Sequence, residues 1–564
     1  MIDLGFSPAL IMIVGALLVP ALPQFLRRPL CVLLPAATLV LVWLLPAGPS
    51  VQLSFLGLDL VPVDADRLGR LFATIFALMA TVGAVFAWQQ PSRMESGAAL
   101  GYAGGAIGIT LAGDLVTLFV FWELMAVAST MVVWAGGPQA RAAGLRYLAI
   151  HLLGGVILMA GVAGELAATG QVAFTAMQAD SLPHWLILIG VLVNAGAPPL
   201  SAWLPDAYPE GSWSGTVFLS AFTTKTAVFV LLRGFPGEEV LIWVGLYMVF
   251  YGLVYAFLET DLRRILAYAI VNQVGFMIVA IGIGTELALN GAAAHAFVHI
   301  VYKGLLMMTA GAVLYRTGLR NIADLGGLFR AMPFTAGCAV IGGLTTMAFP
   351  LTSGFVAKSM ITAAAEEDHM TLVWLLLEVA AAGAVLHAGL KYPWFTFFQK
   401  DSGLRPREAP LSMTLAMAAF AGLCIGIGLF PGPLYAMLPA ATDFSPYSWS
   451  KVMTQLQLVL FAALAFFLLL DQMRPGRTLS LDWDWFYRRL GDALGKEFSS
   501  RTVTGAKNVE RDLGVQLARL LERLYRHHGP DGILARTHTT GSMVMWVAVL
   551  LTAFLLLGYL GVLR

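Results

Sequence analysis

Residues 295–315 read HAFVHIVYKGLLMMTAGAVLY, an apolar stretch that carries two histidines and one lysine. The stretch is long enough for a helix to cross a bilayer, which takes about 20 residues. His295, His299 and Lys303 are four positions apart, so a helix places all three on one face. Ionisable groups at membrane depth are costly and usually serve function. The stretch therefore predicts a membrane helix with titratable groups along one face.

The whole chain has the composition of a membrane protein. Of its 564 residues, 59% are hydrophobic and 12% are charged, about half the charged share of a soluble domain. Mean hydropathy is +0.79. The apolar runs predict an all-α polytopic protein with about sixteen transmembrane helices. These are residues 6–25, 30–46, 66–88, 97–113, 115–134, 143–167, 184–204, 213–233, 240–259, 263–284, 288–315, 333–365 (interrupted), 371–398, 410–430, 452–470 and 541–562.

Cationic residues concentrate in every second loop. Arg27, Arg28, Arg263 and Arg264 follow odd-numbered spans, whereas the acidic run 366–368 follows an even-numbered one. Because cytoplasmic loops carry the excess of Lys and Arg, both termini are predicted on the periplasmic side of a bacterial inner membrane. Residues 6–25 lack a basic n-region and a cleavage site, so we interpret them as a first span and not as a removable signal peptide.

Several chemistries have no supporting pattern. Cys31, Cys338 and Cys424 are far apart and form no CxxC pair, which argues against iron–sulfur or zinc ligation. No GxGxxG or Walker loop precedes a helix. We therefore predict no catalytic residue, no cofactor, no metal site and no nucleic-acid partner. Because no carboxylate cluster suggests a sodium cage, a sodium path would lie at an interface with another subunit.

Titratable side chains inside predicted spans suit proton transfer. Buried charges alter the protonation of their neighbours, and histidine titrates near neutrality. Lys358 and Lys391 lie near span ends, where a lysine can instead extend its ammonium to water. The predicted relay is Glu123, Lys225, His299, Lys303, Lys358 and Lys391. Secondary candidates are Asn194, His295, His387, His151 and Asp206; of these, His295 and His387 suit packing equally well, and His387 lies four residues before Lys391.

Two spans are predicted to be broken. Residues 194–209, NAGAPPLSAWLPDAYP, hold several prolines, and residues 349–358, FPLTSGFVAK, hold a proline and a glycine. Broken membrane helices line cavities or lie buried in protein, and they often occur once in each of two inverted repeats. Because the breaks lie five spans apart, we predict inverted five-helix repeats at 97–233 and 240–398. ILMAG at 157–161 echoes MMTAG at 307–311.

The remaining segments flank these repeats. Residues 1–96 supply N-terminal helices and residues 410–470 supply further transmembrane helices. Within 483–535, apolar residues recur at helical spacing in a charged stretch, which predicts an amphipathic lateral helix along the cytoplasmic surface, with Asp482 as its cap. This helix suits either a membrane-surface linker or a brace across the bundle or a neighbouring subunit. Residues 541–562 form a final span.

Several stretches resemble a known family. They are GDLVTLFVFWELMA (113–126), GAPPLSAWLPDAYPE (196–210), TTKTAVFVLLR (223–233), ETDLRRILAYAIVNQVGFM (259–277), HAFVHIVYKGLLMMTAGAVLY (295–315) and FPLTSGFVAKSMI (349–361). Over roughly residues 100–365 the chain resembles the antiporter-like subunits shared by Mrp-type sodium/proton antiporters, respiratory complex I and membrane-bound hydrogenases. It is most similar to the Mrp D-type subunit.

The resemblance implies roles for particular residues. Glu123 corresponds to the essential glutamate of the family, Lys358 to its terminal relay residue, and Lys225, His299 and Lys303 to its central relay. One position departs from the pattern: Asn194 stands where the family has a lysine that pairs with the glutamate. We therefore expect either that Glu123 pairs with Lys225 or that the first half-channel works differently.

The family points to three functions. The first is a proton-translocating subunit of a multisubunit monovalent cation (Na+ or K+)/proton antiporter, assembled with other membrane subunits in the lipid bilayer. The second is a proton-pumping subunit of a complex I-like NADH:quinone oxidoreductase or hydrogenase, whose redox centres lie on other chains. The third is a binding or scaffold role, such as the membrane partner in inorganic-carbon uptake. The first two make the chain a transporter subunit, and none of the three gives it catalytic residues of its own.

Overall fold

The computed structural model describes residues 5–476, 482–489, 519, 522 and 540–559. The chain divides into two compact units, Met1–Trp485 and Phe486–Arg564. Residues 484–489 are helical, whereas most of the predicted lateral helix at 483–535 lies outside the described residues. Asp482, its predicted cap, accepts a hydrogen bond from the backbone N–H of Trp483 at 2.6 Å.

Most of the described chain is helical. The helices are α1 Ala9–Leu18, α2 Gln24–Leu44, α3 Arg67–Phe86, α4 Arg93–Leu111, α5 Leu115–Trp134, α6 Ala140–Thr169, α7 Leu182–Ala195, α8 Trp203–Ala207, α9 Gly215–Leu219, α10 Thr223–Gly234, α11 Val240–Leu258, α12 Leu262–Ile283, α13 Glu286–Thr317, α14 Pro333–Thr346, α15 Ser353–Glu367, α16 Thr371–Ala384, α17 Leu411–Leu429, α18 Gly432–Tyr435, α19 Trp449–Leu468 and α20 Thr540–Tyr559. Two strands, β1 Gly48–Phe55 and β2 Leu58–Ala65, precede α3.

The described helices fit a multi-pass membrane protein. Eleven are long and apolar enough to cross a bilayer, and three shorter apolar helices accompany them. The apolar window of α12 is entirely buried inside the protein and that of α13 is 94% buried, whereas that of α19 is only 11% buried. The core of the bundle therefore lies at α12 and α13, and α13 carries His295, His299 and Lys303. Sixteen spans remain a prediction.

Both predicted breaks are present. α7 ends at Gly196, whose φ of 81° lies in the left-handed region that suits glycine, and helix resumes only at α8. Between α14 and α15, Ala348 and Leu351 adopt φ of 55° and 72°, which is uncommon for residues other than glycine. The predicted span 213–233 is interrupted as well, between α9 and α10, although the residues at the interruption include neither proline nor glycine.

Two features were not predicted. β1 and β2 form an antiparallel hairpin, and Asp114 Oδ2 accepts the backbone N–H of Val61 at 2.8 Å, which fastens the hairpin to the start of α5. The alternation in VQLSF at 51–55 is the period-two signal of a strand. After α16 the chain continues as π-helix over Val385–Lys391 and again over Trp394–Phe398.

Two long helices share matching surroundings. α6 has 30 residues and α13 has 32, and both end at a left-handed glycine with φ of 71°, Gly170 and Gly318. The helix before each, α5 and α12, begins at a capping aspartate, Asp114 and Asp261. Each aspartate forms an isolated antiparallel bridge with a residue three positions beyond that glycine. These landmarks pair α6 with α13 at an interval of 147 to 148 positions.

Candidate functional site

The predicted relay residues on α10, α13 and α15 are buried. Lys225, His299 and Lys303 are 0% exposed and Lys358 is 5% exposed. α13, which carries His299 and Lys303, packs against α10, which carries Lys225, and against α15, which carries Lys358. The fold therefore brings groups from three helices into one row. Burying a cation there is energetically costly, which makes each of these groups a candidate for function.

Lys225 is held by the unpredicted break between α9 and α10. Its Nζ donates to the carbonyl of Ser220 at 2.8 Å and to Thr224 Oγ1 at 3.1 Å. The break leaves this carbonyl without a helical donor, so it can accept from an ammonium. The expected ion pair with Glu123 is not formed: among the described residues no carboxylate lies within 4.0 Å of Lys225.

The α13 row has few direct partners. The rings of His295 and His299 lie 6.0 Å apart, centroid to centroid, and His295 Nε2 is 3.1 Å from the hydroxyl of Tyr302. That hydroxyl donates to Gln273 Oε1 at 3.1 Å. Within the described part of the chain, both ring nitrogens of His299 and the Nζ of Lys303 have no hydrogen-bond partner. Buried polar groups without protein partners are usually bonded to water, which a proton path requires.

Lys358 links this row to a polar cavity. Its Nζ donates to the carbonyl of Thr346 at 2.8 Å, in the break between α14 and α15, so the buried ammonium is not extended to water. A cavity of about 120 Å³ begins at Lys358 and is lined along α15 by Thr362 and Glu366, with Glu378 of α16 opposite. Lys358 therefore has both a buried partner and a polar outlet.

Lys391 and His387, four residues apart in the sequence, each bind a separate partner and do not hydrogen-bond each other. They lie in π-helix, where hydrogen bonds run from i to i+5 and a turn takes more than four residues. Lys391 Nζ donates to the carbonyls of Phe257 and Glu259, the latter at 2.6 Å, and so caps the end of α11. His387 Nδ1 accepts from the backbone N–H of Ala388 at 2.6 Å. The contacts of Lys391 are those of a helix cap.

A second polar group lies between α5, α6 and α7. His151 is fully buried, and its Nδ1 lies 2.7 Å from Asn194 Oδ1. The rings of Tyr147 and Trp203 enclose it at centroid distances of 4.0 and 4.5 Å. Glu123 lies nearby, because a side chain added at Gly155, one turn further along α6, would collide with its carboxylate.

A series of hydroxyl groups extends from this second polar group toward the helix that carries Lys225. The hydroxyl of Tyr147 donates to Ser129 Oγ at 3.0 Å and lies 3.2 Å from Thr223 Oγ1. Tyr102 approaches the same Thr223 hydroxyl at 2.6 Å. Sequence reasoning missed Tyr102, Tyr147 and Thr223, although the TTK motif at 223–225 is an unusually polar start for an apolar helix. The chain thus places a hydroxyl bridge between α6 and the helix that carries Lys225.

Asp206, a secondary candidate, has a structural partner. Arg146 Nε and Nη2 donate to its two carboxylate oxygens at 2.7 and 2.8 Å. Such a two-point pair is strong and directional. With both oxygens engaged, Asp206 fastens the short α8 to the start of α6.

Known proteins share both the sequence and the fold of this chain. Residues 112–383 match the family model for the transmembrane region of NADH:quinone oxidoreductases and Mrp antiporters. The D-type protein of an Na(+)/H(+) antiporter from Alkalihalophilus pseudofirmus is 30% identical over 54% of this chain and 68% of that protein. The chain belongs to the NADH:quinone oxidoreductase/Mrp antiporter family. The M-type protein of the NADH-quinone oxidoreductase from Pseudomonas aeruginosa is 26% identical over 70% of this chain and 81% of that protein.

Not every family member is matched over its full length. A probable K(+)/H(+) antiporter protein of the combined A/B type from Rhizobium meliloti is 29% identical over 59% of this chain, which spans only 36% of that protein. Among solved structures, an Mrp complex from a Dietzia species contains a chain with a TM-score of 0.75 and 21% identity, covering 98% of this chain and 62% of that one. The archaeal membrane-bound sulfane sulfur reductase gives 0.70 and 22%, over 98% and 100%.

The family match separates the candidates at the far end of the row. Residues 112–383 include Glu123, Lys225, Lys303 and Lys358, whereas Lys391 lies beyond them. Lys391 also binds backbone carbonyls at the end of α11, while Lys358 faces a polar cavity. The two lysines therefore differ both in their surroundings and in their position relative to the family match.

Proposed function

We propose that this chain is the proton-translocating subunit of a multisubunit monovalent cation/proton antiporter in a bacterial inner membrane. The observation that carries the proposal is the row formed by Lys225, His299, Lys303 and Lys358, which is buried in the protein. Among the described residues, none of the three lysines in the row has a carboxylate within 4.0 Å. Ammonium groups without counterions are held in place for a purpose other than stability.

In the proposed path a proton enters near Glu123, reaches Lys225, passes His299 and Lys303, and leaves past Lys358. Each ammonium raises the free energy of a charge on its neighbour, because like charges repel strongly where water is scarce. Arrival of a proton at one lysine therefore promotes release from the next. Lys391 is the alternative exit, with its carbonyl contacts as a competing structural role.

We further propose sixteen spans with both termini in the periplasm and two inverted five-helix repeats, 97–233 and 240–398. The pairing of α6 with α13, each preceded by an aspartate-capped helix and followed by a broken one, supports the repeats. An odd number of spans per repeat reverses its orientation in the membrane. Each repeat then contributes one half of the path.

Other membrane subunits complete the proposed transporter. The Alkalihalophilus protein, which this chain resembles over 68% of that protein's length, is the D-type component of an Na(+)/H(+) antiporter. We propose that Na+ or K+ crosses at an interface with a partner subunit. The second candidate function is a proton pump driven by redox chemistry on other chains. Similarity to the M-type protein of Pseudomonas and to a chain of the archaeal reductase favours that candidate.

Lys303→Met in the intact assembly tests the proposal. The substitution keeps a long apolar side chain and removes the proton-binding amine. Cation-driven proton movement in membrane vesicles should fall by about 100-fold. Lys400→Met, at a loop position, is the matched control and should transport normally. Undiminished transport by assembled Lys303→Met would overturn the relay. Proton movement that needs an electron donor and ignores Na+ and K+ gradients would favour the redox-driven pump.

A further inference from the structure

The paired helices α6 and α13 carry their polar groups at matching positions. With the interval of 148 set by Gly170 and Gly318, Tyr147, His151 and Gly155 correspond to His295, His299 and Lys303. Both triplets have the four-residue spacing that forms one helix face. His151 is thus the counterpart of His299, the histidine in the middle of the α13 row.

Hydrogen bonding gives His151 a defined state. An amide oxygen only accepts, so the contact with Asn194 Oδ1 places the ring hydrogen on Nδ1 and leaves a lone pair on Nε2. Within the described residues, Nε2 is buried and has no partner, and the same holds for Glu123 Oε1 and Asn194 Nδ2. Buried polar atoms without protein partners are usually bonded to water.

Glu123 occupies the space that Lys303 fills in the other repeat. Its carboxylate lies against Gly155, one helical turn or about 6 Å from the level of His151. Water between these two levels can join a carboxyl group to an imidazole nitrogen. On the opposite side of His151, Tyr147 leads to Thr223, two residues before Lys225.

We propose that His151 is the proton carrier of the first repeat, between Glu123 and Lys225. This inference rests on the proposed function. It assigns to His151 the proton transfer that Asn194 does not perform, because an amide cannot take up a proton. Nε2 accepts a proton from the Glu123 carboxyl group through water and passes it on toward the Thr223 hydroxyl and Lys225. Nδ1 keeps its hydrogen on Asn194 throughout, so the ring stays in place while Nε2 binds the proton and then releases it.

The other titratable groups around His151 do not offer an equivalent route. On the helices that pack against it, Arg146 and Asp206 are bound to each other near the start of α6. His184 lies at the far end of α7, where it pairs with Glu165. The remaining groups near its level are Glu123 on α5 and three tyrosines, Tyr102, Tyr147 and Tyr208, and tyrosine ordinarily titrates only near pH 10. The pH response of the first repeat should therefore follow Glu123 and His151.

Two variants in the intact assembly test this step. His151→Gln keeps an amide that can hydrogen-bond Asn194 but cannot carry a proton, and it should lower cation-driven proton transport about tenfold or more. Adding Asn194→Lys returns a proton carrier to the same pair of helices and should recover part of the rate. Because an amine holds its proton to a higher pH than an imidazole, the alkaline limb of the pH profile should move upward. His184→Gln is the matched control.

The outcomes separate this inference from the proposed function. If His151→Gln transports like the wild type while Lys303→Met does not, the inference is wrong and the relay stands. If both transport normally, the proposed function itself fails. If His151→Gln is inactive, assembles normally and gains nothing from Asn194→Lys at any pH, His151 has a structural role and the inference is overturned. Should His151→Gln fail to assemble, the upward shift of the pH profile in assembled His151→Lys becomes the deciding measurement, and an unshifted profile contradicts the proposal.

Discussion

α6 and α13 present corresponding faces, but the carboxylate of Glu123 lies against the face of α6, whereas the face of α13 carries a lysine. On α13 the triplet is His295, His299 and Lys303, on a helix whose apolar window is 94% buried. On α6 the triplet is a tyrosine, a histidine and a glycine, on a helix only 39% buried, and the glycine makes room for the carboxylate of Glu123. One repeat is thus anionic at the position where the other is cationic.

This difference gives the two halves different tasks in the proposed path. A carboxylate attracts protons and offers them a first binding site, whereas a row of ammonium and imidazole groups repels an added proton and passes it on. Lys225 lies at the junction, since its helix is linked to α6 through the hydroxyl bridge at Thr223 and packs against α13, which carries Lys303. Variants at the junction and on the α6 face can show whether the two halves act in series.

Lys225→Met should have the largest effect, because it interrupts the path where the two halves meet. We expect proton transport in vesicles to fall by about 100-fold, as for Lys303→Met. The Ser220 carbonyl, which now accepts from Lys225 at 2.8 Å, would lose its donor, so the amount of assembled protein must be measured alongside. Assembled Lys225→Met with more than half the wild-type rate would show that the halves work independently.

Gly155→Ala should come next, because it perturbs the one position at which the two faces differ most. The added methyl group would collide with Glu123 Oε1, the end of a flexible side chain that can swing away. The helix should therefore form while the carboxylate moves, and transport should fall about tenfold. Gly337→Ala, on α14 where nothing lies within 4 Å, is the control. Equal rates for both glycine variants would remove Glu123 from the path.

Local signals explain which parts were predictable from the sequence. Prolines and charges inside apolar runs are strong signals, so the break between α7 and α8, the break between α14 and α15 and the buried groups on α13 could all be predicted. The break between α9 and α10 has no such signal in the sequence; there the backbone N–H of Thr223 donates to the hydroxyl of Tyr102, a residue far away in the chain. The hairpin was missed because a short alternating segment between long spans is easily taken for a loop. The π-helix at Lys391 depends on packing.

A short sequence similarity in a different register concealed the equivalence of His151 and His299. ILMAG and MMTAG lie 150 positions apart, a register that sets His151 opposite Val301. The glycine caps and aspartate bridges pair positions 147 to 148 apart, and these are backbone features that depend on where each helix begins and ends. Helix ends define the register between the two repeats more securely than short apolar segments do, because many apolar residues are interchangeable in a membrane helix.

Thr223→Val should have a smaller effect, because it removes one hydroxyl from the bridge between α6 and α10 and preserves the shape of the side chain. Tyr102 and Tyr147, at 2.6 and 3.2 Å from that hydroxyl, would each lose a partner, and water can replace part of the bridge. We expect a several-fold loss of transport. Thr309→Val, which removes the hydroxyl 2.8 Å from Tyr392 on the cationic side, is the matched control and should cost only stability.

Arg146→Lys should have the smallest effect on transport and a clear effect on stability. Lysine cannot reproduce the two parallel hydrogen bonds to Asp206, whose side chain is 2% exposed, so we expect a loss of about 1 kcal/mol in the free energy of unfolding and an unchanged rate per assembled complex. Arg405→Lys makes the same change at Asp401, whose side chain is 39% exposed, where water can replace the lost contact and the thermal midpoint should not move. A drop in rate for Arg146→Lys without any loss of stability would return Asp206 to the path. The first repeat would then contain two proton-carrying carboxylates, Glu123 and Asp206, where the proposed path has only Glu123.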